Sequence, residues 1–348
     1  MSCAGTVAGT ADARPLTSAD PTLPIALDAM GGDNAPEAIV EGARRAADEL
    51  GLHVLLVGRR AELGDVGDLE VLEASEVIAM DADAGSSVRT MKDSSLVRAA
   101  EAVRDGRASA MVSAGNTGAT MASALLRMGR LSKVARPAIA TPIPVPDAAT
   151  PTVLLDAGAN AECKPEWLVQ FAQMGAVFAR RRYGVAAPRV GLLSIGEEPT
   201  KGTPLVKETH ELLRSAALGS ATFVGNVEGR DLMGGEVDVV VTDGFTGNVA
   251  LKTLEGGMKS LIAAILAAFA TDDTTRAAAD TLMPALLPLY STLDPDATGG
   301  AMLLGVKGVC VISHGSSSAT AVLNALAVAQ RSVSDRLVEA VGASVLPD

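Results

Sequence analysis

The chain is poor in aromatic residues and carries little positive charge. Its 348 residues include one Trp, two Tyr and five Phe, so the stacking platforms that single-stranded nucleic-acid binders use are absent from the sequence. The formal net charge is −12, whereas a phosphate backbone requires a concentrated basic surface. The composition therefore argues against a nucleic-acid partner, and it implies an aliphatic core.

Cysteine and histidine are equally scarce, with three of each. The cysteines show no CxxC spacing, and no histidine stands three or four residues from another. Neither a disulfide framework nor a zinc site is indicated by this pattern. We therefore expect no metal and no cofactor, and a reducing, cytoplasmic location.

Residues 1–23 show no apolar periodicity and are rich in Ala, Thr, Asp and Pro. They lack the basic and apolar regions of a signal peptide, so we interpret them as a disordered extension. Residues 24–335 are predicted to form the α/β domain, and residues 336–348 a C-terminal tail.

Nine apolar, β-branched runs predict buried strands, and most are separated by segments with helical spacing. The strands are predicted at residues 25–28, 53–57, 110–113, 138–141, 152–156, 190–194, 222–224, 237–242 and 308–313. The clearest helical patterns cover residues 37–50, 95–104, 166–181 and 205–216. This alternation predicts an α/β fold with a doubly wound, mostly parallel sheet.

The alternation stops between residues 251 and 293, where two helical patterns follow each other without a strand. Residues 260–270 are apolar almost all round, and residues 282–293 combine Leu, Met and Tyr with two prolines. Neither reaches the roughly 18 to 20 apolar residues that a membrane span needs. We expect a protruding helical hairpin that forms a buried pair or a dimer interface. The alternative is an apolar tip that rests on a membrane surface.

Four blocks rich in Gly, Ser and Asn follow apolar runs, at residues 25–36, 112–119, 241–248 and 311–318. An ordinary strand-to-helix turn explains any single block, but four together predict an anion-binding pocket made of backbone amides. The candidate substrate-binding residues are Gly31, Gly32, Asp33, Ser113, Gly115, Asn116, Thr117, Gly118, Asp243, Thr246, Gly247, His314, Gly315, Ser316 and Ser317.

Two side chains are candidates for a catalytic role. Lys201 follows a predicted strand in a Gly/Pro loop, where its ammonium group could neutralise a phosphate or a developing oxyanion; a solvated loop lysine is the alternative. Asn248, like Asn116, could donate its amide to a carbonyl oxygen or simply cap the next helix. A serine hydrolase is disfavoured, because residues 316–318 lack a G-x-S-x-G elbow.

Other polar residues have less specific patterns. Cys163 is either a thiol nucleophile or a small buried hydrophobe. Asp28, Asp33, Asp156 and Asp243 lie at or near strand ends. Because no carboxylate triplet is clear, we expect these aspartates to cap helices or fix loops rather than to bind Mg²⁺.

Read in order, several segments resemble the bacterial phosphate acyltransferases of phospholipid synthesis, the PlsX family. They include IALDAMGGDNAP, SAGNTGA, SIGEEPTKGTP, TDGFTGNVALKTLEG and VISHGSS, and the resemblance runs from about residue 25 to residue 331. It implies a homodimer with an isocitrate/isopropylmalate dehydrogenase-like fold. It also implies transfer of a long-chain acyl group from acyl-acyl carrier protein to inorganic phosphate, and delivery of the acyl phosphate to a membrane glycerol-3-phosphate acyltransferase.

Two positions depart from the family's pattern. The motif that usually reads GGDHAP has Asn34 in place of its histidine, and the stretch LDPDATGG lacks the family's tyrosine. This chain therefore has no acid or base side chain at that position of the first motif.

A thioester is already activated, so phosphate needs orientation and oxyanion stabilisation more than a strong base. We expect Lys201 to offset charge on the phosphate or the oxyanion, and Asn248 to donate to the thioester carbonyl. The groups expected to hold phosphate are the backbone amides of Gly31, Gly32 and residues 115–118, together with Ser316 and Ser317.

Two alternative functions remain open at this point. One is a phosphate acetyltransferase-like enzyme that uses a coenzyme A thioester. The other is a peripheral scaffold of lipid synthesis that binds the membrane through the apolar helix pair. The acyl donor that the protein accepts distinguishes the enzymes, and deletion of the helix tip tests the scaffold.

Overall fold

The computed structural model describes residues 20–146, 148–293 and 295–345, and a single sheet of eleven strands runs through them. Most of the predicted extension, residues 1–19, lies outside the described ranges. The strands are β1 (Ile25–Asp28), β2 (Val54–Gly58), β3 (Glu70–Glu73), β4 (Ala110–Ser113), β5 (Ala138–Ile143), β6 (Thr152–Leu155), β7 (Arg189–Leu193), β8 (Thr222–Val227), β9 (Val239–Val241), β10 (Ala301–Leu304) and β11 (Val309–Ile312).

Helices cover both faces of this sheet. They are α1 (Glu37–Leu50), α2 (Ala84–Thr90), α3 (Ser95–Arg104), α4 (Thr117–Ser123), α5 (Pro165–Tyr183), α6 (Pro204–Ser215), α7 (Gly244–Phe269), α8 (Asp273–Leu293), α9 (Pro295–Thr298), α10 (Ala319–Ser334) and α11 (Leu337–Ser344). All nine predicted strands and all four predicted helices are present, with boundaries that shift by up to three residues.

The strand order is β3-β2-β1-β4-β11-β10-β5-β6-β9-β7-β8. Neighbouring strands are parallel except at the centre, where β10 is antiparallel to both β11 and β5, and β5 is antiparallel to β6. The sheet is therefore mostly parallel, as the alternation predicts. It consists of two parallel half-sheets that run in opposite directions and meet at β10 and β5, a reversal that the sequence patterns do not indicate.

The core is aliphatic and lies on both sides of the sheet. It has two layers because successive strand residues point to opposite faces. Ile25 and Leu27 of β1 contribute to one cluster, which α1, α5, α10 and α11 cover. Ala26 contributes to the other cluster, which includes residues of α2, α3 and α4. Phe171 in α5 is the one aromatic side chain among the largest fully buried residues.

The C-terminal segment packs against the core of the α/β domain. Residues 336–348 are predicted as a tail, but α11 buries Leu337 and Val341 against the core. The segment therefore belongs to the α/β domain through at least Val345, which is fully buried.

Helices α7 and α8 follow each other directly, where two consecutive helical patterns are predicted. Leu261 is 62% exposed, and Leu282 and Leu287 are more than half exposed. In this chain the two helices are thus not a buried pair, and several of their apolar side chains face outward. Within the described ranges, no helix is long and apolar enough to cross a bilayer.

Helix α1 packs closely against α10 at a glycine. A Cβ atom on Gly42 would lie 2.6 Å from Cβ of Val322 and 2.7 Å from the carbonyl oxygen of Ala319. We expect Gly42→Ala to lower the free energy of unfolding by about 1–3 kcal/mol, because over-packing exceeds the gain in helix propensity. Urea unfolding measures this. Gly85→Ala is the control, since a Cβ there meets nothing within 4 Å, and a similar loss in both variants would contradict the packing argument.

Candidate active site

The first group of predicted residues meets at the carboxyl ends of three adjacent strands, β1, β4 and β11. The Ser113 hydroxyl donates to Oδ2 of Asp28 at 2.7 Å and accepts from the amide of Gly115 at 3.0 Å. The amide of Ser313 donates to the carbonyl oxygen of Ser113 at 2.8 Å. Buried Ser113 and Asp28 therefore hold the loops in place. Their side chains are used in these internal hydrogen bonds, so the groups available to a ligand are those of the surrounding backbone.

Asp28 is 2% exposed. Burial raises the pKa of this carboxyl group above its usual value, although hydrogen bonds from Ser95 and Ser113 and from the amides of Met30 and Gly31 act in the opposite direction. A Cβ on Gly31 would lie 2.5 Å from Oδ2 of Asp28. The chain can therefore turn here only with glycine at position 31.

The loops after β1 and β11 are joined directly. The amide of Asp33 donates to the carbonyl oxygen of Gly315 at 2.7 Å. The side-chain amide of Asn34 donates to the carbonyl oxygens of Ser316 and Ser317 at 3.2 and 3.3 Å. Asn34 thus connects the two loops, which gives this departure from the family's pattern a structural role.

Asn116 caps α4, as the simpler alternative for this residue predicts. Its Oδ1 accepts from the amide of Ala119 at 3.0 Å, and its Nδ2 donates to the carbonyl oxygens of Met80 and Ala82. Thr117 and Gly118 form the first turn of α4. Their position at a helix N-terminus favours an anion near their amides.

The second group lies where β6 and β9 end. Asp156 is fully buried, and burial raises the pKa of its carboxyl group. Its two oxygens accept from the amides of Ile139, Gly158, Ala159 and Asn160 at 2.7–3.2 Å, and also from the Asn160 side chain at 2.9 Å. Asp156 therefore shapes the loop over residues 157–160 rather than facing a metal.

Helix α7 begins against this loop. Asp243 caps it by accepting from the amide and hydroxyl of Thr246 at 2.9 and 2.8 Å. A Cβ on Gly247 would overlap the carbonyl oxygen of Asp156, so glycine permits the close approach. The side-chain amide of Asn248 donates to the carbonyl oxygen of Ala157 at 3.2 Å. An amide group has a second proton, which remains for a ligand.

The two groups border one cleft of about 580 Å³. One wall is the face of β5 that carries Ile139, Thr141 and Ile143, and the other is α7. Five of the predicted site residues line it, namely Thr117, Asn248, His314, Gly315 and Ser316. The remaining predicted glycines lie in the adjoining turns.

The structure adds three charged residues of α7 that sequence patterns do not assign to the site. Lys252, Glu255 and Lys259 project from α7 into the cleft. Nζ of Lys252 lies 2.8 Å from Oε2 of Glu255, and Nε2 of His314 lies 3.1 Å from Oε1 of the same carboxylate. Lys252, Glu255 and Lys259 are spaced by three and four residues along an apolar helix. This spacing is the one signal in the sequence that could have indicated these three residues.

Glu255 is half-buried in this cluster. Burial opposes its ionisation, but hydrogen bonds from His314 and Lys252 outweigh burial and lower its pKa to about 2. Glu255 is therefore a carboxylate throughout the physiological pH range.

Three other candidates are not brought into the cleft. Lys201 is exposed in the loop between β7 and α6, and is not part of the cleft wall. The Ser317 hydroxyl is buried and donates to the carbonyl oxygen of His314 at 2.6 Å. Burial, with the nearby Asp156 charge, raises the pKa of Cys163 to about 12, so its thiol is protonated at neutral pH and does not suit a nucleophile.

The described part of the chain contains no group of three His, Cys, Asp or Glu side chains that could hold a metal ion. What the described residues of the cleft do offer is backbone amides, the Asn248 carboxamide, the His314 imidazole, the charged side chains of α7 and an apolar wall. These groups can bind an anion beside an acyl chain and stabilise an oxyanion.

Comparisons with known proteins agree with this geometry. A family described as "Fatty acid synthesis protein" matches residues 23–339. A phosphate acyltransferase of Elusimicrobium minutum is 49% identical over 90% of this chain and 93% of that protein. One of Heliobacterium modesticaldum is 48% identical over 91% of this chain and 96% of that protein. A solved phosphotransacetylase from Streptococcus pyogenes, 16% identical, superposes with a TM-score of 0.61 over 90% of this chain and 94% of that one, and this likeness shows a shared fold alone.

Proposed function

Because the chain belongs to the phosphate acyltransferase family, and so transfers an acyl group to phosphate for phospholipid synthesis, we propose that its donor is a long-chain acyl-acyl carrier protein. The observation that supports this most is the apolar wall of the cleft. Leu251, Leu254, Met258, Ile262 and Leu266 line it from one face of α7. At 1.5 Å per residue this stripe is about 22 Å long, which suits an extended fatty acyl chain far better than an acetyl group.

The polar end of the cleft supports the placement of phosphate and thioester. Phosphate binds at the amides around Gly32, Thr117 and Gly315, where loops and the α4 N-terminus converge. The thioester carbonyl points to Asn248. An ionised phosphate oxygen attacks the carbonyl carbon, the new C–O bond forms, and the C–S bond breaks as the carrier thiolate leaves. Asn248 stabilises the oxyanion between these two events.

An acidic carrier protein requires a local basic surface on this acidic enzyme. The loop over residues 129–137 contains Arg130, Lys133 and Arg136 and no acidic residue. The amide of Lys307 donates to the carbonyl oxygen of Gly129 at 2.9 Å. This hydrogen bond places a fourth basic residue beside the loop. Asn160, in the loop beside Asn248, donates to the carbonyl oxygen of Pro137 at 2.8 Å. This surface supports carrier docking next to the thioester end of the cleft.

The outward apolar side chains of α7 and α8 support two further parts of the proposal, a homodimer and contact with the inner membrane surface. Membrane contact would bring acyl phosphate close to a membrane glycerol-3-phosphate acyltransferase. Sedimentation equilibrium of the protein alone, and flotation with anionic vesicles, test the two separately.

Lys201 is proposed as the cation that neutralises phosphate or the oxyanion. It follows β7, which pairs in parallel with β9, and the segment after β9 leads into Asn248. We expect Lys201→Ala to lower kcat by about 10²-fold without changing the melting temperature, since the side chain is exposed. Steady-state kinetics measure this, with exposed Lys207→Ala as control. Unchanged turnover in Lys201→Ala would exclude Lys201 from the reaction.

The experiment that tests the donor measures phosphate-dependent release of free thiol from palmitoyl-acyl carrier protein, with palmitoyl-coenzyme A and acetyl-coenzyme A run beside it. Turnover that requires both the carrier and phosphate supports the proposal. Preference for acetyl-coenzyme A would instead favour the phosphate acetyltransferase-like alternative. Absence of turnover with every thioester would favour the scaffold.

A further inference from the structure

The reaction requires a proton to move. Near neutral pH the nucleophile is mainly the monohydrogen phosphate dianion, and the product acyl phosphate is also a dianion. The proton of the phosphate hydroxyl is therefore lost from oxygen, while the leaving thiolate, an alkyl thiol with a pKa near 8.5, gains one. The net step breaks one C–S and one O–H bond and forms one C–O and one S–H bond.

We propose that His314 carries this proton from the phosphate hydroxyl to the leaving sulfur, and that Glu255 positions its ring. This inference rests on the proposed function of the cleft. His314 lines the cleft beside Gly315 and Ser316, at the end where phosphate is placed. It is the one imidazole among the described residues that line the cleft. Asn34 stands where the family's pattern has a histidine, and a carboxamide does not act as an acid or base near neutral pH.

The geometry assigns a different role to each of the two ring nitrogens of His314. Nε2 lies 3.1 Å from Oε1 of Glu255, and an ionised carboxylate only accepts hydrogen bonds. Nε2 must therefore carry a proton and donate it to Glu255. In the neutral ring this leaves the lone pair on Nδ1, which has no hydrogen-bond partner among the residues that the structure describes. Nδ1 is thus the atom that accepts the phosphate proton and returns it to sulfur.

Glu255 is itself held from the other side. Lys252 lies 2.8 Å from its second oxygen, so the carboxylate has one oxygen for each partner. Lys259 and Asp296 also line the cleft, and Asp33 lies beside Gly315. Residues on α7 and on the loop after β11, separated by 59 positions in the chain, are thereby fixed relative to each other. An orienting carboxylate behind an imidazole is a common arrangement for proton transfer.

The test uses leaving groups of different acidity. His314→Gln is expected to lower kcat with palmitoyl-acyl carrier protein by about 10²-fold, within the range of general acid–base catalysis. With a palmitoyl thioester of an acidic aryl thiol, whose thiolate leaves without a proton, the loss should shrink by about tenfold. Glu255→Gln should show the same pattern with a smaller loss. His53→Gln, at an exposed histidine outside this cleft, is the matched control and should behave like the unchanged protein.

Equal losses with both thioesters, or a loss confined to the KM for phosphate, would overturn the proton-transfer role. Failure of the proposed function is distinguishable, because the unchanged protein would then not release carrier thiol in a phosphate-dependent way. Circular dichroism and melting temperature establish that each variant is folded, and Glu255→Gln keeps the size of the side chain if His314→Gln is unstable.

Discussion

Asn248→Ala is expected to lower kcat by about 10²- to 10³-fold, the cost of removing one oxyanion donor. The side chain lines the cleft, and its amide is held by one hydrogen bond to Ala157. In the proposed mechanism alanine removes the donor that meets the carbonyl oxygen as it becomes an oxyanion, so the loss should appear in kcat rather than in the KM for phosphate. Single-turnover kinetics with palmitoyl-acyl carrier protein measure the chemical step directly.

The same substitution should cost little stability. Asn248 is exposed, and one hydrogen bond contributes about 1 kcal/mol. Val249→Ala is the matched control, since Val249 is the next residue of α7, is 50% exposed and is not part of the cleft wall. Normal turnover in Asn248→Ala, or an equal loss in Val249→Ala, would remove Asn248 from the reaction.

Asp156→Ala is expected to lower the free energy of unfolding by about 3–5 kcal/mol. This is the scale for removing a buried group whose hydrogen-bond partners are then left unsatisfied. Four backbone amides and one side-chain amide donate to this carboxyl group. Alanine leaves these donors without their acceptor, and the acceptor position itself is fully buried. Because Asn248 binds the loop that Asp156 shapes, turnover should fall as well.

Asp156→Asn should lie between the original protein and Asp156→Ala. The carboxamide oxygen still accepts, but its NH₂ group faces the donors of Asn160. Burial raises the pKa of Asp156, so the folded protein binds this proton more tightly than the unfolded chain. The contribution of Asp156 to stability therefore falls as pH rises from the unfolded pKa to the folded pKa, and Asp156→Asn should lose that dependence.

Urea unfolding at several pH values measures both effects. Asp272→Ala is the control, because Asp272 is exposed and caps a turn by accepting from the amide of Thr275 at 2.8 Å. It should lose only about 1 kcal/mol. If Asp156→Ala lost no more than this control, the carboxyl group could not be what holds the loop.

Much of the fold was predictable because the local patterns are strong. The predicted limits of β1, β4, α1 and α3 coincide with those observed, since each element is bounded by a turn or capping residue and carries a clear apolar period. β3 and β10 were not predictable in the same way. β3 is a short edge strand that begins and ends with glutamate, and β10 is a run of four residues after two glycines.

The candidate site also has a part that local sequence patterns predict and a part that they do not. The glycine-rich loops could be found from the sequence, because a turn at the end of a buried strand needs particular residues whatever surrounds it. The cluster of Lys252, Glu255 and His314 could not, since nothing local to α7 indicates which loop lies opposite. The same is true of Asn34, whose partners Ser316 and Ser317 lie more than 280 positions along the chain.

The sequence by itself determined the positions of most strands and helices, the glycine-rich loops at strand ends, and the family to which the chain belongs. Only the tertiary structure decided that the two half-sheets run in opposite directions, that β5 and α7 enclose an apolar cleft, and that Glu255 lies within hydrogen-bond distance of His314 in it. The reason is physical: φ/ψ preferences and apolar periodicity act over a few residues. Strand direction, neighbour order and contacts between side chains depend on pairings between distant segments, which the whole core selects together.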